Sequence, residues 1–400
     1  MSRPIVPKRR HTAALLLALS AALFSACGGG GDAASDAFAS ESATSYAAGP
    51  ISGLGSVIVN GVRYDDSAAT VLDDEDASRS REVLKLGMMV EIDASQMDHA
   101  AALGKALRIR FGSEIVGPVD SVDAAAGTLV VLGQTVEIKP ATVFDDNLPG
   151  GLAALSAGTV LEVHGLFDAA TGRYLATRLE AKPGATFYKL RGMIANLDTA
   201  AKTFTLGGEV INYAGLIVAE LPKALADGQR VRVRLQTAQV AGQWVAVALL
   251  PGLRKVEDRA EAHLRGAITA FTSTTEFEVN GLAVNAAAAS FPDGGAGVVL
   301  GAQVEVEGKV VDGVLVATKV ELDERHAGER HRFELHGLVS ELDTAAKTFL
   351  LRGVSVSYAN NLIFRDGTEA DLANGKRVEV KGIPSADRTR LEALLIDFES

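Results

Sequence analysis

The sequence predicts an all-β chain of tandem small Greek-key β-barrels, each carrying a short helical turn. Two glycine landmarks carry that prediction, together with the order of strand and turn signals around them. A glycine after a strand-like run falls at Gly61, Gly133, Gly208, Gly281 and Gly353, at intervals of 72, 75, 73 and 72 residues. A second glycine opens an alternating apolar stretch in LKLGMMVEI, LSAGTVLEV, LADGQRVRV, VVLGAQVEV and LANGKRVEV, at Gly87, Gly158, Gly228, Gly301 and Gly375. Both landmarks divide the chain into five units. The octapeptide LDTAAKTF, at 197–204 and again at 342–349, repeats at two of these periods.

Within one unit the elements follow from local chemistry. GMIANLD alternates as a strand, TAAK supplies a turn, and TFTLGGEVINYA reads as two strands joined by a two-residue hairpin. The equivalent Asn60-Gly61 and Asn280-Gly281 are type I′ signals, because both turn residues need positive φ. LPKALADG is a short helix or helical turn closed by glycine. Two longer alternating strands, QRVRVRLQTA and QWVAVALL, finish the unit. Five strands with a helical element between the third and fourth is the order of an OB-like Greek-key barrel. Alternation puts Val231, Val233 and Leu235 on the core face and Arg230, Arg232 and Arg234 outside.

The units are expected at 50–114 (shortened), 115–185, 186–261, 262–331 and 332–400. The first lacks about eight residues between its first two strands, since Gly53 to Gly61 is half the span of Gly192 to Gly208. Its barrel is expected to be incomplete or to lean on the second unit. Linkers such as AKPGAT are short, so a rod or bent string of barrels with substantial contacts between neighbours is expected.

The N-terminus has a different composition. Arg3, Lys8, Arg9 and Arg10 precede the apolar run TAALLLALSAALFSA, which has the form of a secretory signal peptide over 1–26. The run ends at Cys27, the only cysteine in the chain. LFSAC resembles the bacterial lipobox, with Phe24 where Leu is usual. The resemblance implies that Cys27 is lipidated and becomes the mature N-terminus, and Gly28 after it implies the outer membrane. Residues 27–49, rich in Gly, Ala and Ser, form a flexible tether. Without the first 26 residues the chain carries 35 Lys+Arg against 50 Asp+Glu, a net charge of −15. Such acidity excludes a sequence-independent nucleic-acid binder and docking on an anionic leaflet.

The lipobox, the tether, GLGSVIVNGVRYD and units ending like VEVEGKVVDGVLVATKVEL together resemble a bacterial domain family of unknown function that occurs in tandem in proteobacterial lipoproteins. The resemblance spans residues 51–400 and implies the OB-like fold without assigning catalytic residues.

No HExxH, GxSxG, GxxxxGK[ST] or post-strand GxGxxG occurs, and there is no second cysteine for metal or redox work. No catalytic residue and no cofactor is therefore assigned. The cluster DERHAGERHRFELH offers His326, His331 and Glu329 as metal ligands through two imidazoles and a carboxylate. The competing reading is a charged linker between the fourth and fifth barrels, with His336 starting a strand just as His164 ends one. Asp145, Asp146, Asp293 and Asp366 follow aromatics in FDDN, FPDG and FRDG, and DDEDAS begins at Asp73. Turn chemistry explains these better than calcium, because no calcium-loop spacing is present.

Phe204, Phe277 and Phe349 share a repeat position with Leu129, which assigns them to the core rather than to a stacking platform. Trp244 is assigned to packing as well. The Arg230, Arg232, Arg234 stripe reads as a solvated strand face, or as a partner for Glu305 and Glu307 of unit four. The sequence thus points to an envelope lipoprotein with a non-enzymatic binding or scaffolding role. Its partners would be the membrane, through Cys27, and an envelope protein or glycan. Divalent-metal or oligosaccharide binding is the alternative, and a hydrolase acting on envelope polymers ranks below both.

Overall fold

Inward alternation and hairpin turns close five barrels of one topology. The computed structural model describes residues 43–399 except 96, 99–100, 169, 217–223, 253–255, 323–331 and 361. The signal peptide, Cys27, and the metal candidates His326, Glu329 and His331 lie outside the described residues.

Barrel one has strands Ser45–Leu54, Val57–Val59, Val62–Asp65, Met89–Ala94 and Leu103–Phe111, so residues 45–49, expected in the flexible tether, are paired strand instead. Barrel two has Ile115–Asp123, Thr128–Val131, Gln134–Phe144, Val160–Asp168 and Arg173–Ala181. Barrel three has Tyr188–Asp198, Thr203–Leu206, Glu209–Asn212, Arg230–Leu235 and Trp244–Pro251. Barrel four has Arg259–Ser273, Glu276–Val279, Leu282–Asn285, Gln303–Val311 and Val314–Leu322. Barrel five has Phe333–Asp343, Thr348–Leu351, Val354–Ser357, Arg377–Pro384 and Leu391–Phe398.

In each barrel the first three strands form an antiparallel meander. The third then pairs in parallel with the fifth, the fifth antiparallel with the fourth, and the fourth antiparallel with the first. In barrel two this circuit is complete, and barrel three repeats it. Barrel one also closes fully, so the expectation of an incomplete barrel is corrected. The shortened first turn removes hairpin length, while the wall-forming pairs remain. A short extra strand, Thr70–Leu72, pairs with its fifth strand and reinforces the wall.

The predicted turns have the backbone that their chemistry requires. Asn60 and Gly61 adopt φ of 55° and 77°, and Asn280 and Gly281 50° and 84°. In the octapeptide, the Asp198 carboxylate accepts the N–H groups of Ala200 and Ala201 at 2.8 Å, and Asp343 accepts those of Ala345 and Ala346 at 2.9 Å. Phe204 and Phe349 beyond the turn are buried, and Leu197 and Leu342 pack partly against the cores. The helical element is a single 3₁₀ turn at Arg81–Val83, Gly151–Ala154 and Glu369–Asp371. In unit three its 221–223 portion lies outside the described residues.

The barrels do not form the simple string expected from their short linkers. Residues 45–48 of barrel one pair in parallel with 261–264 of barrel four, and 53–54 with 334–335 of barrel five. Barrels two and three join through Val116 with Lys189 and Ile115 with Leu190. The apolar cores merge accordingly. Residues of barrels one and five form one cluster, and residues of barrels two and three form another. A third cluster fills barrel four, with Tyr46 and Ala48 of barrel one attached. Each fully buried Leu, Ile or Val stabilises by about 1.5–3 kcal/mol, and a barrel of this size buries few enough that sharing a core matters.

The second glycine landmark has positive φ in all five copies, from 79° at Gly87 and Gly228 to 86° at Gly158. A Cβ at Gly375 meets nothing within 4 Å, whereas one at Gly87 meets the Thr177 carbonyl of barrel two at 2.4 Å. Gly375→Ala should therefore cost only the backbone term, about 1–2 kcal/mol. Gly87→Ala should cost more, by forcing barrels one and two apart. Equal losses of denaturant stability in the two variants would contradict that packing.

Candidate functional site

The polar residues that alternation places outside each barrel meet at the barrel junctions. In barrel one, Asp73 caps its own loop, its Oδ1 accepting the N–H groups of Glu75 at 3.0 Å and Ala77 at 2.9 Å. That turn presents Asp74 to barrel three. The Asp74 carboxylate lies 2.7 Å from Lys189 Nζ and 3.0 Å from Arg232 Nη1, and its backbone carbonyl accepts from Arg232 at 2.6 Å. Glu75 pairs with Arg234 at 3.3 Å, and the Arg234 guanidinium stacks 3.8 Å above the Phe187 ring.

The arginine stripe is thus an interface and not a solvated face, and Arg232 and Lys189 are buried. Nor are Glu305 and Glu307 of barrel four its partners. Glu305 is engaged by His263 at 2.6 Å and Arg265 at 2.5 Å, and Glu307 by Lys319 at 3.4 Å. Val231, Val233 and Leu235 point inward as predicted.

Two more knots complete the junction. Buried Glu114 accepts from Arg191 at 2.9 Å and from Arg230 at 3.3 Å. Buried Arg178 of barrel two binds Asp145, binds Glu180 at 2.5 Å and donates to the Leu86 carbonyl of barrel one at 3.1 Å. Lys85 of barrel one reaches Asp145 at 2.7 Å. Asp145 therefore does more than the predicted turn, and so does Asp293, which accepts the N–H of Leu322, 29 residues on, at 3.1 Å, whereas Asp366, at φ 53°, remains a turn residue.

Between these knots lies a cavity of about 680 Å³ walled by four barrels. Tyr46, Glu91, Arg110 and Phe111 come from barrel one, Phe167 from barrel two, Arg230, Arg232 and Leu249 from barrel three, and Glu278 and Asn280 from barrel four. An adjoining pocket of about 760 Å³ shares Tyr46, Asp74, Glu91, Arg110 and Arg232 with it. Burial pushes the Glu278 carboxyl above its ordinary value and the Tyr46 hydroxyl well above. Charges of both signs beside apolar and aromatic walls make this a place where a polar ligand can be hydrogen-bonded and covered.

The repeat-position residues Phe204, Phe277, Phe349 and Leu129 are core, as expected. Trp244 packs edge-on to Tyr188, with ring centroids 5.6 Å apart, and donates to Glu209 at 2.8 Å. The cavity aromatics Phe111 and Phe167 were not signalled, because no spacing in the sequence marks a face at which separate units meet. His164 lies within a strand rather than at its end. It is buried, with Nδ1 3.0 Å from the Gly112 carbonyl, and burial pushes it below its ordinary value. His336 does stand near the start of its strand, with Glu334, Glu379 and Glu399 around it.

The sequence pattern of a domain of unknown function, DUF5666, matches residues 48–102, 116–180, 265–321 and 336–397. The chain belongs to the DUF5666 family. Barrels one, two, four and five carry the matched DUF5666 copies, while barrel three closes by the same circuit outside the matched residues. No curated protein matches the chain. Among solved structures, one titled "drosophila Unr CSD456" is similar at 15% identity, covering 54% of this chain and 98% of that one, with a TM-score of 0.16. At that score the likeness carries no argument.

Two outcomes test the junction. Arg178→Ala leaves buried Glu180 without its guanidinium and Asp145 with Lys85 alone, and should lower stability by about 3–5 kcal/mol in denaturant unfolding. A loss under about 1 kcal/mol would mean that the knot is not buried in solution. Acid should also loosen the fold. Burial raises Glu162 and Glu305, but their cationic partners outweigh it and hold both at about 2. At Asp74 and Asp145 burial likewise works upward, and their cations outweigh it and lower both. Because the folded values are depressed, the unfolded chain binds more protons between about pH 4.5 and 2, and stability falls across that window as pH falls. A thermal midpoint unchanged down to about pH 2 would refute this.

Proposed function

We propose that this DUF5666 chain is a non-enzymatic binding protein of the bacterial envelope, tethered by lipid on Cys27. Its ligand would sit in the cavity at the barrel junction. The single observation carrying the proposal is that cavity, walled by four barrels and lined by both charge signs beside Phe111 and Phe167. Its volume lies in the range of small-ligand sites, about 300–1,000 Å³. That favours a short envelope oligosaccharide over a protein surface, because sugars use aromatic faces together with charged hydrogen-bonding groups.

The neighbouring acids support binding over hydrolysis. Asp74 and Glu114 are each held by two cations, which occupies both carboxylates in the junction. The lipobox and the Gly/Ser-rich tether support the envelope location.

Calorimetric titration of the mature chain with oligosaccharides released from the envelope should give saturable binding. Phe167→Ala should weaken it about tenfold, which corresponds to about 1.4 kcal/mol. Binding that is indifferent to Phe167→Ala, or no binding to any envelope glycan, would refute the cavity as a glycan site. Separately, Cys27→Ser should shift the protein from membrane to soluble or unprocessed fractions. Unchanged fractionation would refute the lipid anchor.

A further inference from the structure

Barrel five carries a second constellation, away from the cavity. Glu334 and His336 are two apart on its first strand and so share one face, and strand register sets Glu379 directly opposite His336. One ligand atom from each of the three lies within 4.8 Å of the others. His336 is buried, and its Nδ1 lies 2.7 Å from Glu399 Oε1 while its Nε2 lies 2.8 Å from Glu334 Oε1.

We propose that Glu334, His336 and Glu379 form a divalent-cation site of the zinc class at the seam between barrels five and one. The donor set is imidazole plus carboxylates, which suits zinc. A carboxylate on the far imidazole nitrogen is the outer-shell contact that fixes the ring and raises its basicity in zinc sites, and Glu399 makes it. Zinc at about 2.0–2.2 Å from each ligand places tetrahedral ligands roughly 3.4 Å apart. Only small side-chain adjustments are needed from the observed spacing.

A cation already sits at this spot. Arg63 of barrel one reaches both Glu334 and His336 Nε2, the latter at 2.7 Å. Lys381 lies 2.9 Å from Glu379 and 3.4 Å from Glu334. Three carboxylates therefore face one guanidinium and one ammonium, so the pocket is built for positive charge. A metal ion would displace the Arg63 guanidinium from Nε2. Barrel four differs in register, since the residue directly opposite its Glu305 is Arg265, while His263, two residues before Arg265, reaches the same carboxylate at 2.6 Å.

The test is equilibrium dialysis of the mature chain against Zn²⁺, followed by metal analysis. One equivalent is expected, with affinity lowered at least tenfold in Glu379→Gln and in His336→Gln and raised in Arg63→Ala. The double change His326→Ala and His331→Ala should leave the equivalent in place. Thermal unfolding of each variant shows whether it remains folded, and the gain in Arg63→Ala does not depend on a weakened variant. The proposal is overturned if the wild-type chain retains no zinc, if folded Glu379→Gln retains it with unchanged affinity, or if the His326/His331 double variant loses it.

Discussion

Each barrel depends on a clasp between its first and fourth strands. The landmark glycine before the fourth strand donates its N–H to a buried aliphatic residue of the first: Gly87 to Ile51, Gly158 to Val119, Gly228 to Ile194, Gly301 to Ile268 and Gly375 to Val339, at 2.7–2.9 Å. That aliphatic residue returns a bond to the residue after the glycine, as Ile51 does to Met88 and Val339 to Lys376. The geometry needs a left-handed residue, which glycine adopts without the Cβ penalty. With this clasp made, the connection from strand three to strand four is free to vary. It holds an acidic loop in barrel one, and a 3₁₀ turn in barrels one, two and five. The barrel closes regardless.

Closure satisfies the backbone and leaves the assembly to side chains. Barrels one and five, and barrels two and three, bury their apolar faces in common clusters. Charged knots then determine how those pairs meet. Buried ion pairs contribute little net stability because desolvation offsets attraction, yet removing one partner is expensive. Asp74 between Lys189 and Arg232, and Arg178 between Asp145 and the Leu86 carbonyl, therefore act mainly by penalising any other arrangement. The cavity is a product of that arrangement, for its walls come from units that no single barrel could bring together.

What the sequence revealed and what it concealed divide along the range of the forces. Asn60-Gly61, Asn280-Gly281 and the landmark glycines report backbone conformation within a few residues, so the barrel, its turns and its inward residues were legible. The octapeptide worked as a ruler for the same reason, since Asp198 and Asp343 cap turns within three residues of themselves. The arginine stripe was misread because its partner Asp74 is 158 residues from Arg232. His336 was seen beside His326 and His331 in the chain, yet its neighbour Glu379 is supplied by strand register. Barrel one was underrated because a short turn was taken for a missing wall.

The third barrel shows how sequence divergence follows the interface. Four residues after the landmark glycine, barrels one, two, four and five carry Glu91, Glu162, Glu305 and Glu379, whereas barrel three carries Arg232. Register places Arg232 opposite Arg191, a like-charge pair that is unfavourable in an isolated sheet. Asp74 from barrel one and Glu114 from the start of barrel two supply the compensating charge. The sign reversal is thus sensible only in the assembled chain, and it falls in the unit outside the matched DUF5666 residues. Barrel three keeps the family's clasp and circuit while its outer face answers to its neighbours. On that face, and not in the shared barrel, the cavity acquires Arg230 and Arg232.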